Sequence, residues 1–141
     1  MKILFVCKGN NCRSQIAEAV YNRLTNTNDA SSAGTNAEVN GETLRQWRVR
    51  QGGSHTLELM GAEGHHLENK KVTQLTKDMP AQYDLVVSMA AKSLTPRWLS
   101  GAPNYVYWKI PDPRGRGIAY VKRAKEAIEQ RVRELINTKN R

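Results

Sequence analysis

The sequence predicts an α/β protein, with three layers arranged α/β/α around a four-stranded parallel sheet. Three observations predict it. Two apolar runs, one at residues 2–6 and one at 84–89, are continuous rather than alternating, as parallel strands covered on both faces are. Strand-like and helix-like segments alternate along the chain, the pattern of right-handed crossovers. The first run stops at Cys7, and a five-residue turn then delivers Arg13 and Ser14 to the start of an amphipathic stretch.

The elements follow in order. After the strand at 2–6, Ile16, Val20 and Leu24 recur at helical spacing with Ala17 and Ala19 between them. Ser14 is placed to cap this helix, and Glu18 in its first turn suits the helix dipole. A short strand at 30–33 ends at Gly34. Residues 36–53 are polar, contain three glycines and show no clean period, so they read as a long surface excursion. Ser54 introduces a short helix through Leu57 and Met60 that closes near Gly61 or Gly64. Thr76 caps a brief helical turn up to Pro80. The strand at 84–89 leads to a helix at 90–99, tilted or interrupted by Pro96. A last strand at 105–110 runs into Pro111-Asp112-Pro113. Ile118, Val121, Ala124, Ile128, Val132 and Leu135 trace one apolar stripe on a long C-terminal helix, and residues 137–141 read as a frayed tail.

Bulk properties narrow the function classes. At 141 residues the chain reads as one domain spanning 1–141, large enough for a real core. Lys and Arg number 22 against 13 Asp and Glu, a formal net charge of +9, which favours anionic partners without choosing among them. The two cysteines, Cys7 and Cys12, share one loop, so they read as chemical rather than as a disulfide framework and fit a reducing compartment. The N-terminal apolar run is too short for a signal peptide, and no stretch is long enough for a membrane span. These features predict a cytoplasmic protein with no membrane partner. His55, His65 and His66 lack ligand spacing, and no cluster calls for a metal.

The chemistry concentrates at the first turn. A strand that ends in a cysteine beside a helix N-terminus puts a thiol among backbone N–H groups, a ready anion site. A helix N-terminus and a nearby arginine are also the surroundings that favour thiolate over thiol. Nucleophile and anion cradle thus become one object, which points to phosphoryl transfer through cysteine. Asp112, between two prolines, reads either as a turn residue or as an acid–base group facing that loop.

The set Cys7-x5-Arg13-Ser14 after an N-terminal strand, with Asp112-Pro113 in the last third, resembles the low-molecular-weight protein tyrosine phosphatases. Residues 32–35 (Ser-Ala-Gly-Thr), 74–76 (Gln-Leu-Thr) and the strand at 84–89 add to the resemblance, which covers the whole chain. It implies the three-layer fold with its phosphate-binding loop after strand 1. It also implies a cysteine-dependent phosphatase that needs no cofactor or metal and acts on phosphorylated protein, phosphotyrosine first, or on small phosphomonoesters. Cys7, Arg13 and Asp112 would be catalytic: nucleophile, bidentate phosphate ligand, and general acid held protonated by the dianion and by partial burial. Lys8, Gly9, Asn10, Asn11, Cys12 and Ser14 would form the loop, with Asn10 bracing it and Ser14 donating to the Cys7 sulfur. Cys12 would be filler beneath the loop or a partner that traps oxidised Cys7 as a disulfide.

Several residues depart from the family pattern. Gln15 stands where proline is common, Asn11 where an apolar side chain is common, and Arg114 where an aromatic residue often follows Asp-Pro. Trp47, set among Arg45, Arg48 and Arg50, is the candidate aromatic wall, with coverage of a hydrophobic patch as the alternative. Arg114 is a candidate substrate contact that would make the rim cationic. Arsenate reduction on the same loop and a phosphoarginine-directed activity are the competing enzymatic readings. A non-catalytic phosphate- or nucleic-acid-binding module is a minor one, since a pure binder has no use for the thiol.

Overall fold

The computed structural model describes residues 1–51 and 55–139. Its sheet has four strands, β1 (Ile3–Cys7), β2 (Ala30–Gly34), β3 (Leu85–Ser88) and β4 (Tyr105–Tyr107), all parallel in the order β2-β1-β3-β4. β1 is central on both sides, with Cys7 opposite Gly34 of β2 and Val6 opposite Ser88 of β3. The expected α/β fold with a four-stranded parallel sheet is therefore the observed one.

The alternation of side chains along β1 divides the core in two. Ile3, Phe5 and Cys7 point to one face, where α1 (Arg13–Thr25) and α5 (Ile118–Lys139) pack. Phe5 sits there between Tyr21 and Trp108, at ring-centroid distances of 6.2 and 5.8 Å. The predicted stripe of the last helix is buried against this face at Val121, Ala124, Ile128 and Val132, while Ile118 at its start is exposed. Leu4 and Val6 point the other way, into a smaller cluster with Ala33, Leu75, Val86 and Leu99. Each such side chain, fully buried, contributes about 1.5–3 kcal/mol. The fold positions the site by driving β1 into the middle of the sheet and stopping it at Cys7.

Several local expectations are corrected. The excursion at 36–53 contains a helix, α2 (Leu44–Gln51). Thr43 and Gln46 cap it reciprocally, each backbone N–H bonded to the other's side chain, at 2.9 and 3.2 Å. Only Leu44 of α2 is buried, which explains the missing apolar period. Helix α3 (His55–Ala62) lies where Leu57 and Met60 placed it; Ser54, its expected cap, is outside the described residues. The turn expected from Thr76 up to Pro80 is present, closed by the Met79 N–H on the Thr76 carbonyl at 3.1 Å, and it runs on into a 3-10 helix at Pro80–Gln82, with the proline where no N–H is needed.

Residues 90–99 are not one helix. Thr95 is extended (φ −92°, ψ 125°), as a residue before proline is pushed to be, and it separates a 3-10 turn at Lys92–Leu94 from the single turn of α4 (Arg97–Ser100). β4 ends at Tyr107, three residues early: Trp108 still donates to the Ser88 carbonyl at 2.9 Å, but the Ile110 N–H turns back to the Trp108 carbonyl at 3.0 Å and the Ile110 carbonyl faces Arg13. The tail expected from residue 137 is helical through Lys139, with Asn140 and Arg141 outside the described residues.

Candidate active site

Cys7 is the last residue of β1 and is 2% exposed, its sulfur at the base of the turn. The chain then climbs through Lys8, Gly9, Asn10 and Asn11 to Cys12, which occupies the N-cap position of α1. Ile16 makes the first intrahelical bond, back to the Cys12 carbonyl at 2.9 Å. Among the described residues, none of the backbone N–H groups from Lys8 to Ser14 has a protein acceptor. Several line a pocket of about 90 Å³ whose walls also include Arg13, Asn36, Glu38, Asp112 and Arg114. A ring of free donors at the positive end of a helix is an anion cradle.

Behind the cradle lies a buried polar web. Asn10 takes the left-handed conformation (φ 57°) that bends the turn, and its side chain is fully buried. Its amide donates to Ser14 Oγ at 2.8 Å, and its Oδ1 accepts from the Thr73 backbone N–H at 2.8 Å. Ser14 Oγ lies 3.0 Å from the Cys7 sulfur. The amide of Gln15, buried at 1% exposure, donates to the Asn10 carbonyl at 3.2 Å and to the Lys71 carbonyl at 3.2 Å. On the other side, β2 passes so close to the turn that a Cβ on Gly34 would meet Lys8 O at 2.6 Å and Asn10 N at 2.9 Å. These are backbone atoms, so only glycine fits there.

Arg13 is 5% exposed and anchored from the far sheet edge. Its Nη1 donates to the carbonyls of Met89 at 2.6 Å and Ile110 at 2.9 Å, the two points where the chain leaves β3 and passes β4. Its Nη2 lies 3.7 Å from Asp112 Oδ2 across the mouth of the pocket. Asp112 also accepts the backbone N–H of Arg114 at 3.0 Å, an Asx turn that fixes the carboxylate. Asp112 therefore faces the loop, as expected, but its side chain is 46% exposed rather than partly buried.

The geometry matches a known family along nearly its whole length. The sequence profile of the low molecular weight phosphotyrosine protein phosphatases matches residues 2–141. The chain belongs to that family. Among its relatives is a glutaredoxin arsenate reductase of Synechocystis sp., 28% identical over 137 residues that cover 96% of this chain and 95% of the relative. A low molecular weight phosphotyrosine protein phosphatase of Sus scrofa is 34% identical over 94 residues, covering 65% of this chain and 56% of the relative. The structure of Vibrio vulnificus Wzb, solved in complex with benzylphosphonate, superposes with a TM-score of 0.79 at 26% identity and covers 97% of both chains.

Within this family fold, the structure sorts the residues singled out in the sequence. Cys7, Lys8, Gly9, Asn11, Cys12 and Arg13 line the pocket, whereas Asn10 and Ser14 stand behind it. Ser14 is not a helix cap: no side chain caps α1, and the Ser14 hydroxyl is turned to Cys7. Glu18 lies beyond the first turn, buried, accepting from Ser32 at 3.1 Å and paired with Lys70. Burial pushes the Cys12 thiol up to about 12, although the Thr56 hydroxyl donates to it at 3.1 Å. Trp47 reaches the mouth, lining an adjoining pocket of about 350 Å³ with Asn11, Thr56, Asp112 and Arg114.

Sequence reasoning missed two participants. Glu38 closes the rim by bonding Arg114 at 2.8 Å and Arg50 at 3.6 Å, and the Arg114 hydrogen bond and charge hold its carboxyl below the usual range. Nothing in the irregular stretch around Glu38 marks it. Gln15, which stands where proline is common in the family, is a brace for Asn10, and the clue is a polar side chain on the face that Ile16 and Ala17 bury.

Proposed function

We propose that the chain is a cysteine-dependent phosphatase that hydrolyses phosphomonoesters of protein, phosphotyrosine first, through a phosphocysteine intermediate. The observation that carries this reading is the single pocket that joins a nucleophile, a donor ring, an arginine and a carboxylate. The Cys7 thiolate attacks phosphorus; the S–P bond forms, the ester P–O bond breaks, and Asp112 gives its proton to the departing oxygen. Water then attacks phosphorus and passes its proton to Asp112, and the S–P bond breaks to return the thiolate.

Through both steps the N–H groups of residues 8–14 and the outer donors of Arg13 hold the equatorial oxygens. Nη1 of Arg13, spent on Met89 and Ile110, keeps the guanidinium plane aimed at the pocket. Ser14 stabilises the sulfur as nucleophile and leaving group, and Asn10 with Gln15 holds the turn. Trp47 and Arg114 frame the leaving group at the rim.

Hydrolysis of p-nitrophenyl phosphate with EDTA and dithiothreitol present tests the reading. Wild type turns over and Cys7→Ser does not, with unchanged thermal unfolding. A folded, reduced wild type without turnover would overturn it. Arsenate reduction is the second reading, favoured by the Synechocystis relative that spans 96% of this chain. It predicts arsenate-dependent thiol consumption that the same substitution removes. Phosphotyrosine and phosphoarginine peptides, compared in parallel, then choose the phosphatase substrate.

A further inference from the structure

A second groove begins on the other side of Asp112 and runs along the start of α5. It encloses about 280 Å³ over a floor of Ile110, Ala124 and Ala127. Lys109, Arg116 and Arg123 stand around it, all exposed, and Asp112 is the sole carboxylate among its lining residues. Tyr120, 42% exposed, has the Arg116 guanidinium 5.2 Å and that of Arg123 5.3 Å from its ring centroid. Among the described residues, no ion pair engages Lys109, Arg116 or Arg123, and Glu126, within a turn of Arg123, makes none.

That placement is unfavourable for the free protein. Two guanidinium groups share one ring with no counter-charge between them, and Arg116 stands just before the positive end of a helix whose first turn has no acidic residue. On the other side of the pocket two cations are paired: Arg50 has Glu38 and Glu42, and Arg114 has Glu38. Unpaired cations around an aromatic ring, over an apolar floor, fit an extended chain that carries carboxylates.

We propose that this groove docks an acidic segment of the substrate protein next to its phosphorylated residue. The inference rests on the phosphatase reading for what enters the pocket, and on the groove alone for what flanks it. Carboxylates one to a few residues from the phosphate meet Arg116, Arg123 and Lys109, while the phosphate reaches Cys7 past the shared wall at Asp112. Phosphoproteins with acidic flanks are then preferred through KM and association rate, and added salt weakens the preference.

The test uses two phosphotyrosine peptides that differ only by Glu against Gln at the flanking positions. Binding is read on the Cys7→Ser protein and turnover on the Cys7 protein, each with and without Arg116→Gln/Arg123→Gln. The expected result is a preference of roughly three- to tenfold for the Glu peptide at low salt. It falls to near unity in the double variant, whose p-nitrophenyl phosphate hydrolysis and Tm stay unchanged. Arg116→Glu/Arg123→Glu reverses it. Equal affinities in the Arg116/Arg123 protein, or a preference that survives the double substitution, would overturn the proposal. So would an oligonucleotide affinity that the double variant loses while the peptide ratio stays fixed, since the groove would then serve nucleic acid. Because the binding arm needs no turnover, a failed phosphatase reading leaves this result readable.

Discussion

The floor of the pocket and its rim are built on opposite physical terms. The floor is dry: Asn10 and Ser14 are fully buried, and Cys7, Ser14, Asn10 and Gln15 bond to one another over 2.8–3.3 Å with few rivals from water. The rim is wet, with Glu38 and Arg114 side chains 40% and 49% exposed and joined by an ion pair that solvent screens. A buried donor left without its acceptor costs about 1–3 kcal/mol, whereas an exposed ion pair is worth about 0–1 kcal/mol. The reacting geometry therefore sits where change is costly, and the residues that would meet the rest of the substrate sit where change is cheap.

Four substitutions sharpen or break that contrast. Arg13→Lys carries the largest expected effect, a loss on the order of 10²–10³ in kcat, because an ammonium cannot span Met89, Ile110 and two phosphate oxygens together. A rate within tenfold of wild type would show that the guanidinium is not the phosphate ligand. Gly34→Ala comes next. Its Cβ meets the Lys8 and Asn10 backbone, so chemical denaturation should show a loss of about 1–3 kcal/mol together with reduced kcat. Unchanged stability would mean that the loop yields, contrary to a rigid floor.

Trp47→Ala belongs to the rim. KM for an aryl phosphate should rise roughly threefold to tenfold at constant kcat, the value of an aromatic contact. An unchanged KM in a folded variant removes Trp47 from the site and leaves it as cover for a hydrophobic patch. Glu38→Gln should do least, a KM change of about threefold or less as Arg114 loses one carboxylate partner. If Glu38→Gln cost as much as Arg13→Lys, floor and rim would not differ in kind.

The legible part of this molecule was the part in which local rules and tertiary structure agree. Continuous apolar runs became β1 and β3, the stripe from Val121 to Val132 became the buried face of α5, and a cysteine between strand and helix marked the cradle. What escaped was set by partners distant in sequence. α2 hides because a single residue, Leu44, ties it to the core, although its Thr43–Gln46 capping pair was readable. Ser14 looked like a cap because serine before an amphipathic run usually is one; here the demand of the Cys7 sulfur won. Glu38 and Asp112 owe their roles to chain segments about 75 residues apart meeting at one rim, which no local pattern encodes.

The register that sets Cys7 opposite Gly34, in a strand also paired to β3, has a consequence for how the molecule is made. No early-folding fragment can contain a working cradle. Its turn is moulded against the end of β2, its arginine is tethered to residues 89 and 110, and its bracing asparagine is held from residue 73. These are closures of long sequence separation, the slow events of folding. Recovered activity during refolding therefore reports completion of the whole sheet, and a chain released too soon from its synthesis is an inert one rather than a phosphatase without control.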